Sequence, residues 1–352
     1  MNFKIAIKNL FKDYWGSISL VYILIITLIS ILAYWISPDS SPNANQMNLN
    51  IHSKPPGFST FKLKIPKNLK IDQLSILNNE IFIEDYKIEN NKLFYSEVGS
   101  FSMEKKEINI TEILKDIDIK EFELKYINKV TFYFGTDKYG RDMLSRMIIG
   151  SRVSISIGFV AVIISLIIGI LIGLTSGYFG GWFDNFIMWL INVFWAIPTL
   201  LLVIAITISL GKGYWQVFFA VGLTMWVEVA RLVRGQVRTL KEKLFIQSAQ
   251  VLGFSSYRIM LNHILPNLFG PLIVISAANF ASAILIESGL SFLGIGVQPP
   301  IPSWGGMVKD HFRYIILGKE YLAILPGLAI MSLVLSFMIL GNSLRDAFDV
   351  RS

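Results

Sequence analysis

Ser276, Asn279, Ala283 and Glu287 recur at intervals of three, four and four residues, which sets them on one face of a helix. Such a stripe of polar or small residues can act as a track through hydrocarbon, ending in a carboxylate able to carry a proton. A charged side chain at mid-membrane costs about 2.5–3.5 kcal/mol on insertion scales, so it faces protein or a water-filled cavity. Glu287 therefore either lines a route or pairs to hold helices or an outer loop, and the spacing leaves both open. A second group, Asp137, Arg141, Asp142 and Arg146 in FGTDKYGRDMLSR, can pair locally and cap the helix that follows. Gly135 and Gly140 turn the chain there.

No catalytic set emerges from these residues. The histidines, His52, His263 and His311, are scattered, and with no cysteine there is neither a disulfide nor a thiolate metal site. Lys212 and Lys319 follow glycines but are succeeded by Gly213 and Glu320, so no Gly-Lys-Ser or Gly-Lys-Thr ends a phosphate loop. The chain is expected to hold no metal and no cofactor of its own.

The elements that must position these residues are membrane helices. Hydrophobic residues make up 53% of the chain and charged ones 16%, too apolar for an ordinary soluble domain of this length. Crossing roughly 30 Å of hydrocarbon takes about 20 apolar residues. Six runs qualify: 17–36, 153–177, 186–210, 215–229, 268–293 and 321–340. The fourth is short, carries Glu228 at its edge and leans on Trp215 and Trp226 as interfacial anchors. In the second, Gly169, Gly173 and Gly177 recur every four residues and predict close helix packing. Pro198 predicts a kink in the third, beside Trp189, Asn192 and Trp195.

Lys4, Lys8 and Lys12 precede the first run, opposed only by Asp13, which predicts a cytoplasmic amino terminus. Its apolar core is too long for a secretory signal and lacks a small-residue cleavage site, so it reads as an uncleaved anchor. Six crossings return the carboxyl terminus to the cytoplasm. The loop after the fourth run lies there too, with Arg231, Arg234, Arg238, Lys241, Lys243 and Arg258 against Glu242. The net charge of +7 then reflects topology and contact with anionic lipid rather than nucleic acid.

Within that loop, about residues 231–267, QSAQVLGFSSYRIMLNHILP reads as a docking device. A short helix reaches Leu252, Gly253 supplies the corner, and an amphipathic segment from Ser255 to Ile264 ends at Pro266. Arg258 and Asn262 share a face, with His263 beside them, suited to a groove in a soluble partner. Residues 37–133 differ in composition, rich in Asn, Lys, Ile and Glu. Phe61, Leu63 and Ile65 alternate there, and Asn90-Asn91 joins two strand-like runs. This predicts an inserted extracytoplasmic α+β or β-rich domain, with the extracytoplasmic stretch reaching to about residue 150.

From Phe134 to Asp349 the blocks FGTDKYGRDMLSRMIIGSRVS, YFGGWFD, WVEVARLVRGQV, GFSSYRIMLNHILPN, ESGLSFLGIGVQPPIPSWG and LRDAFD occur in an order that resembles the inner-membrane permease subunits of oligopeptide and dipeptide ABC importers. The resemblance implies an all-α polytopic membrane protein with six transmembrane helices of the type I importer kind. With the compositional boundaries above, the chain is expected to divide into residues 1–36 (tail and first helix), the insertion 37–133, of which the resemblance says little, and a permease core at 134–352. The resemblance further implies a second homologous permease, two ABC ATPase subunits that carry ATP and magnesium, an external binding protein that delivers peptides, and an inner-membrane location with no enzymatic activity in this chain. Gly253, Ile264, Leu265 and Pro266 match the family's ATPase-coupling segment. Gln247, Ser248 and Ala249 stand where the family has Glu-Ala-Ala, so a hydrogen bond from Gln247 or a matched change in the partner replaces a salt bridge there. The family also carries nickel and other small solutes. Outside the resemblance, the residues alone leave room for a self-sufficient channel or a transporter in which Glu287 carries a coupling proton.

Overall fold

The computed structural model describes residues 3–64, 80–99, 106–110, 119–211 and 213–348, and divides into two compact units. Ile65, Lys212 and Asp349, singled out above, lie outside the described residues.

The first unit comprises residues 1–36, 147–312 and 323–352. Its amino-terminal helices are α1 (Phe3–Lys12), α2 (Tyr14–Ile31), which is capped by Asp13, and α3 (Ala33–Ile36).

The second unit, residues 37–146 with 313–322, is built on a five-stranded antiparallel sheet. Its strands are β1 (Phe58–Lys64), β2 (Glu80–Glu89), β3 (Lys92–Glu97) and β4 (Lys106–Asn109); α4 (Ile119–Tyr126) then leads into β5 (Ile127–Phe132). The order is β4-β3-β2-β1-β5, because β5 returns to pair with β1 from Phe58↔Phe132 to Leu63↔Ile127. The hairpin expected at Asn90-Asn91 forms, both residues taking positive φ (47° and 62°), which asparagine tolerates in a two-residue turn whose twist matches the strands. Alternation then sorts the two faces. Leu63, Ile81, Ile83, Leu93 and Tyr95 pack with Phe122 of α4, while Phe82 points the other way onto Ile51, Val98 and Phe132.

This unit runs on to Arg146 rather than ending at residue 133. The reason lies in FGTDKYGRD. Asp137 is fully buried and accepts from Arg141 Nε at 2.6 Å and from the backbone N–H of Tyr139 and Arg141, while Arg141 Nη1 donates to Asn45 Oδ1 at 2.8 Å. Gly140 lies against the Asn48 carbonyl so closely that a Cβ would sit 1.7 Å from its oxygen. Asp142 caps the next helix, accepting from Ser145 N–H at 2.9 Å. Burial pushes its carboxyl above the ordinary range, and the bonds from Ser145 oppose that shift.

The next helices are α5 (Met143–Phe179), α6 (Gly181–Ala196), α7 (Thr199–Leu210) and α8 (Tyr214–Lys241). After them come α9 (Leu244–Val251), α10 (Ser256–Arg258), a π-helical turn (Ile259–Ile264) and α11 (Leu265–Leu293). The last are α12 (Trp304–His311) and α13 (Tyr321–Phe348). Among the described residues five helical stretches are long and apolar enough to cross a membrane: α2, α5, α8, Ser256–Leu293 and α13. The count becomes six if α6 and α7 are one bent span.

Three sequence expectations change here. Pro198 does not merely kink the third run: α6 and α7 meet at 92°, because proline removes a donor and holds Ile197 extended. The fourth run is not short, since helix continues past Val229 through the basic segment to Lys241. Pro266 does not stop its helix either. The π turn before it, in which Leu265 N–H reaches Met260 O, widens the spiral by one residue so that helix continues through the proline.

Gly169, Gly173 and Gly177 lie where α5 meets α8. A Cβ there would sit 2.5 Å from Val229 Cβ, 2.6 Å from the Ala230 carbonyl oxygen and 2.9 Å from the Arg234 carbonyl oxygen, respectively. Gly173→Val should therefore overpack this crossing by about 1–3 kcal/mol. The expected result is a lower thermal midpoint of the detergent-solubilised chain by size-exclusion melting; an unchanged midpoint would mean that the two helices do not approach this closely.

Candidate functional site

The basic end of α8 is pinned before it turns. Arg234 grips Asp184 of α6 with two nitrogens at 2.5 and 2.7 Å, and Lys241 Nζ donates to Tyr178 O at 2.7 Å. A two-residue linker leads into α9, which ends in a Schellman motif. Phe254 N–H returns to Ala249 O (3.1 Å) and Gly253 N–H to Gln250 O (3.0 Å), with Gly253 at φ +75°. Glycine is needed there for its backbone angle alone, since no atom lies within 4 Å of where its Cβ would be. Ser255 then caps the next turn, accepting from Arg258 N–H.

What was expected as a second short helix is the end of a long one, continuous through the π turn into α11. Its inner face is firmly held. Ile246, Ala249, Ile259, Met260 and Ile264 are buried in one cluster with Leu174 of α5, with Val229, Val233 and Val237 of α8, and with Leu268 of α11. The outer face is bare. Val251 is 88% exposed, Leu244 81%, Leu252 72% and Tyr257 71%. Spacing drew attention to the polar residues here and missed these four, although their apolar character within a charged loop was the available signal.

Of the expected docking residues, Gln247, Ser248, Asn262, Arg258 and Pro266 are exposed, whereas Ala249 and Ile264 are buried and Leu265 is half-buried. Gln247 Nε2 donates to Glu242 O at 3.3 Å. Phe254 gathers the other two: the Arg258 guanidinium lies 4.4 Å from its ring centre and the His263 ring stacks on it at 5.8 Å.

The stripe on α11 lies inside the chain. Asn279, Ala283 and Glu287 are buried, and Ala283 belongs to a core with Ile157, Val203, Val217 and Phe218. Ser276 is half-buried and donates to Leu272 O, and Glu287 accepts from the Ser291 hydroxyl at 2.6 Å. The open surface lies around the helix from it. There a cavity of about 310 Å³ is lined by Trp195 of α6, Thr199 of α7, Thr224, Met225 and Glu228 of α8, and Ser282 of α11. The 92° break between α6 and α7 contributes residues from both of its arms.

Residues 169–351 match the family described as binding-protein-dependent transport system inner membrane component. The glutathione transport system permease protein GsiD of Shigella flexneri serotype 5b (strain 8401) is 43% identical over 217 residues, covering 62% of this chain and 71% of that protein. GsiD of Escherichia coli O6:K15:H31 (strain 536 / UPEC) is 41% identical over the same length and coverage. Among solved structures, the MetNI methionine ABC transporter in an inward-facing conformation aligns with a TM-score of 0.46 at 18% identity, covering 58% of this chain and 96% of that one.

Proposed function

This chain belongs to the binding-protein-dependent transport system inner membrane components, and we propose that it forms one half of the membrane path of an ATP-driven peptide importer. In this reading a second, homologous permease supplies the other half. Two ATPase subunits, which carry ATP and magnesium, dock on the loop of α9 and α10, and an external binding protein delivers the cargo. The fold would be of the type I importer kind, with both termini and the docking loop in the cytoplasm and the sheet unit outside. Peptide is the favoured cargo because the relatives above are named for glutathione, itself a short peptide.

The observation that carries the reading is the bare apolar crest of the α9 loop. Leu244, Val251, Leu252 and Tyr257 follow Arg238, Lys241, Glu242 and Lys243 in the chain, beyond the apolar part of α8, where hydrocarbon would not be expected to cover them. A protein groove would. The buried side of the same loop packs on α5, α8 and α11, so force applied at the crest passes into three helices through close-packed side chains. The free energy enters as differential affinity of the ATPases for two arrangements of the path.

The test is to tag the chain, extract it in mild detergent at native expression and identify what co-purifies. A second permease together with one or two ABC ATPases is the expected result. Recovery of this chain alone in several gentle detergents would overturn the reading.

A further inference from the structure

A carboxylate stands near the midpoint of α8 where lipid would be intolerable. Glu228 is exposed, while its neighbours Val227 and Val229 are buried, so it marks the side of α8 that faces away from the core. No hydrogen bond or ion pair reaches it among the described residues. Among the described residues it is also the only charged side chain lining the 310 Å³ cavity, whose other side-chain polar groups are the hydroxyls of Thr199, Thr224 and Ser282 and the indole N–H of Trp195. The Thr224 hydroxyl already donates to Val221 O, which leaves its lone pairs as acceptors. The nearby Arg231 is engaged over the Trp195 ring, 4.1 Å from its centre.

A cavity with one unpaired carboxylate and hydroxyl acceptors is built for a compact cation with several N–H donors. We propose that Glu228 recognises the free ammonium group of a peptide cargo as it passes along this face of the chain. The inference rests on the permease reading and gives its path a chemical preference. Glu287, sealed within the same helix bundle, is not available for that contact.

The experiment uses the complete assembly reconstituted in liposomes. Because the chain contains no cysteine, Ser282→Cys gives it a single thiol in the cavity wall. Its labelling by methanethiosulfonates carrying a trimethylammonium or a sulfonate group is timed. The cationic reagent should react faster by about tenfold beyond the advantage it already has toward a free thiolate, a preference of the size that one unit charge at this range gives in a partly polar site. That preference should vanish with Glu228→Gln and return with Glu228→Asp. Trialanine should slow the labelling, and N-acetyl-trialanine should not.

Labelling without charge preference, or a preference indifferent to Glu228→Gln, would overturn the inference while leaving an aqueous path, as when a basic side chain of the second permease neutralises Glu228. Protection by both peptides alike would also overturn it. Labelling by a membrane-permeant maleimide alone would place this face in lipid and sink the permease path with it.

Discussion

Leu252→Asp should abolish uptake while leaving the chain folded. Leu252 is 72% exposed and closes α9 with backbone bonds only, so exchanging its side chain alters folding stability by no more than about 0.5 kcal/mol. In the proposed assembly it would meet the ATPase groove together with Val251, which is 88% exposed. Burying a carboxylate where a leucine should fill a groove costs about 2–4 kcal/mol in a hot spot, roughly 30- to 1,000-fold in affinity. The readouts are co-purification of the ATPases and transport by reconstituted vesicles, both expected to fall by at least about tenfold. Leu252→Ala, which loses packing without burying charge, should fall between. Full uptake by the aspartate variant would show that the crest is not the docking surface.

Asp137→Ala should be nearly as damaging, through stability rather than docking. Its carboxylate holds Arg141 Nε at 2.6 Å, accepts from the backbone N–H of Tyr139 and Arg141, and lies 3.8 Å from Arg146 Nε. Arg141 is itself only 4% exposed. Removing the carboxylate strands that guanidinium in a low-dielectric site, which costs about 3–5 kcal/mol. A domain is commonly stable by about 5–15 kcal/mol, so the loss is a large share of the total. The purified full chain should melt several degrees lower and be cut faster in residues 37–146 by protease. Replacing both partners, as Asp137→Ala with Arg141→Met, should cost less than the single change, because no charge is left stranded. Equal melting of wild type and single variant would mean that the pair contributes nothing to the fold.

These two sites were legible in the sequence to different degrees. FGTDKYGRD announced local pairing and helix capping through its residue types, and Asp142 does cap α5. That the same segment closes onto Asn45 and Asn48, about ninety residues earlier, had no local signal, and so residue 133 looked like a boundary. The corner of the α9 loop was legible through Gly253, whose positive φ is a property of one residue and its immediate neighbours. The apolar crest was missed because exposure depends on what the rest of the chain leaves uncovered.

Hydropathy and turn chemistry are written along one dimension, and the sequence by itself determined what depends on them: apolar runs long enough to span a membrane, the Asn90-Asn91 hairpin, the glycine face of α5 and the corner at Gly253. Tertiary structure alone decided which side of each span is inside. The spans are apolar nearly all round, so a polar stripe at helical spacing fits equally well facing inward or outward. Neighbouring helices settled it, closing Asn279 and Glu287 into the core and leaving Glu228 open on a cavity framed by the break at Pro198. The same holds at Pro266. Its ring bars an ordinary helix, yet packing of Ile259, Met260 and Ile264 against α5 and α8 accompanies a widened π turn that carries the helix through it.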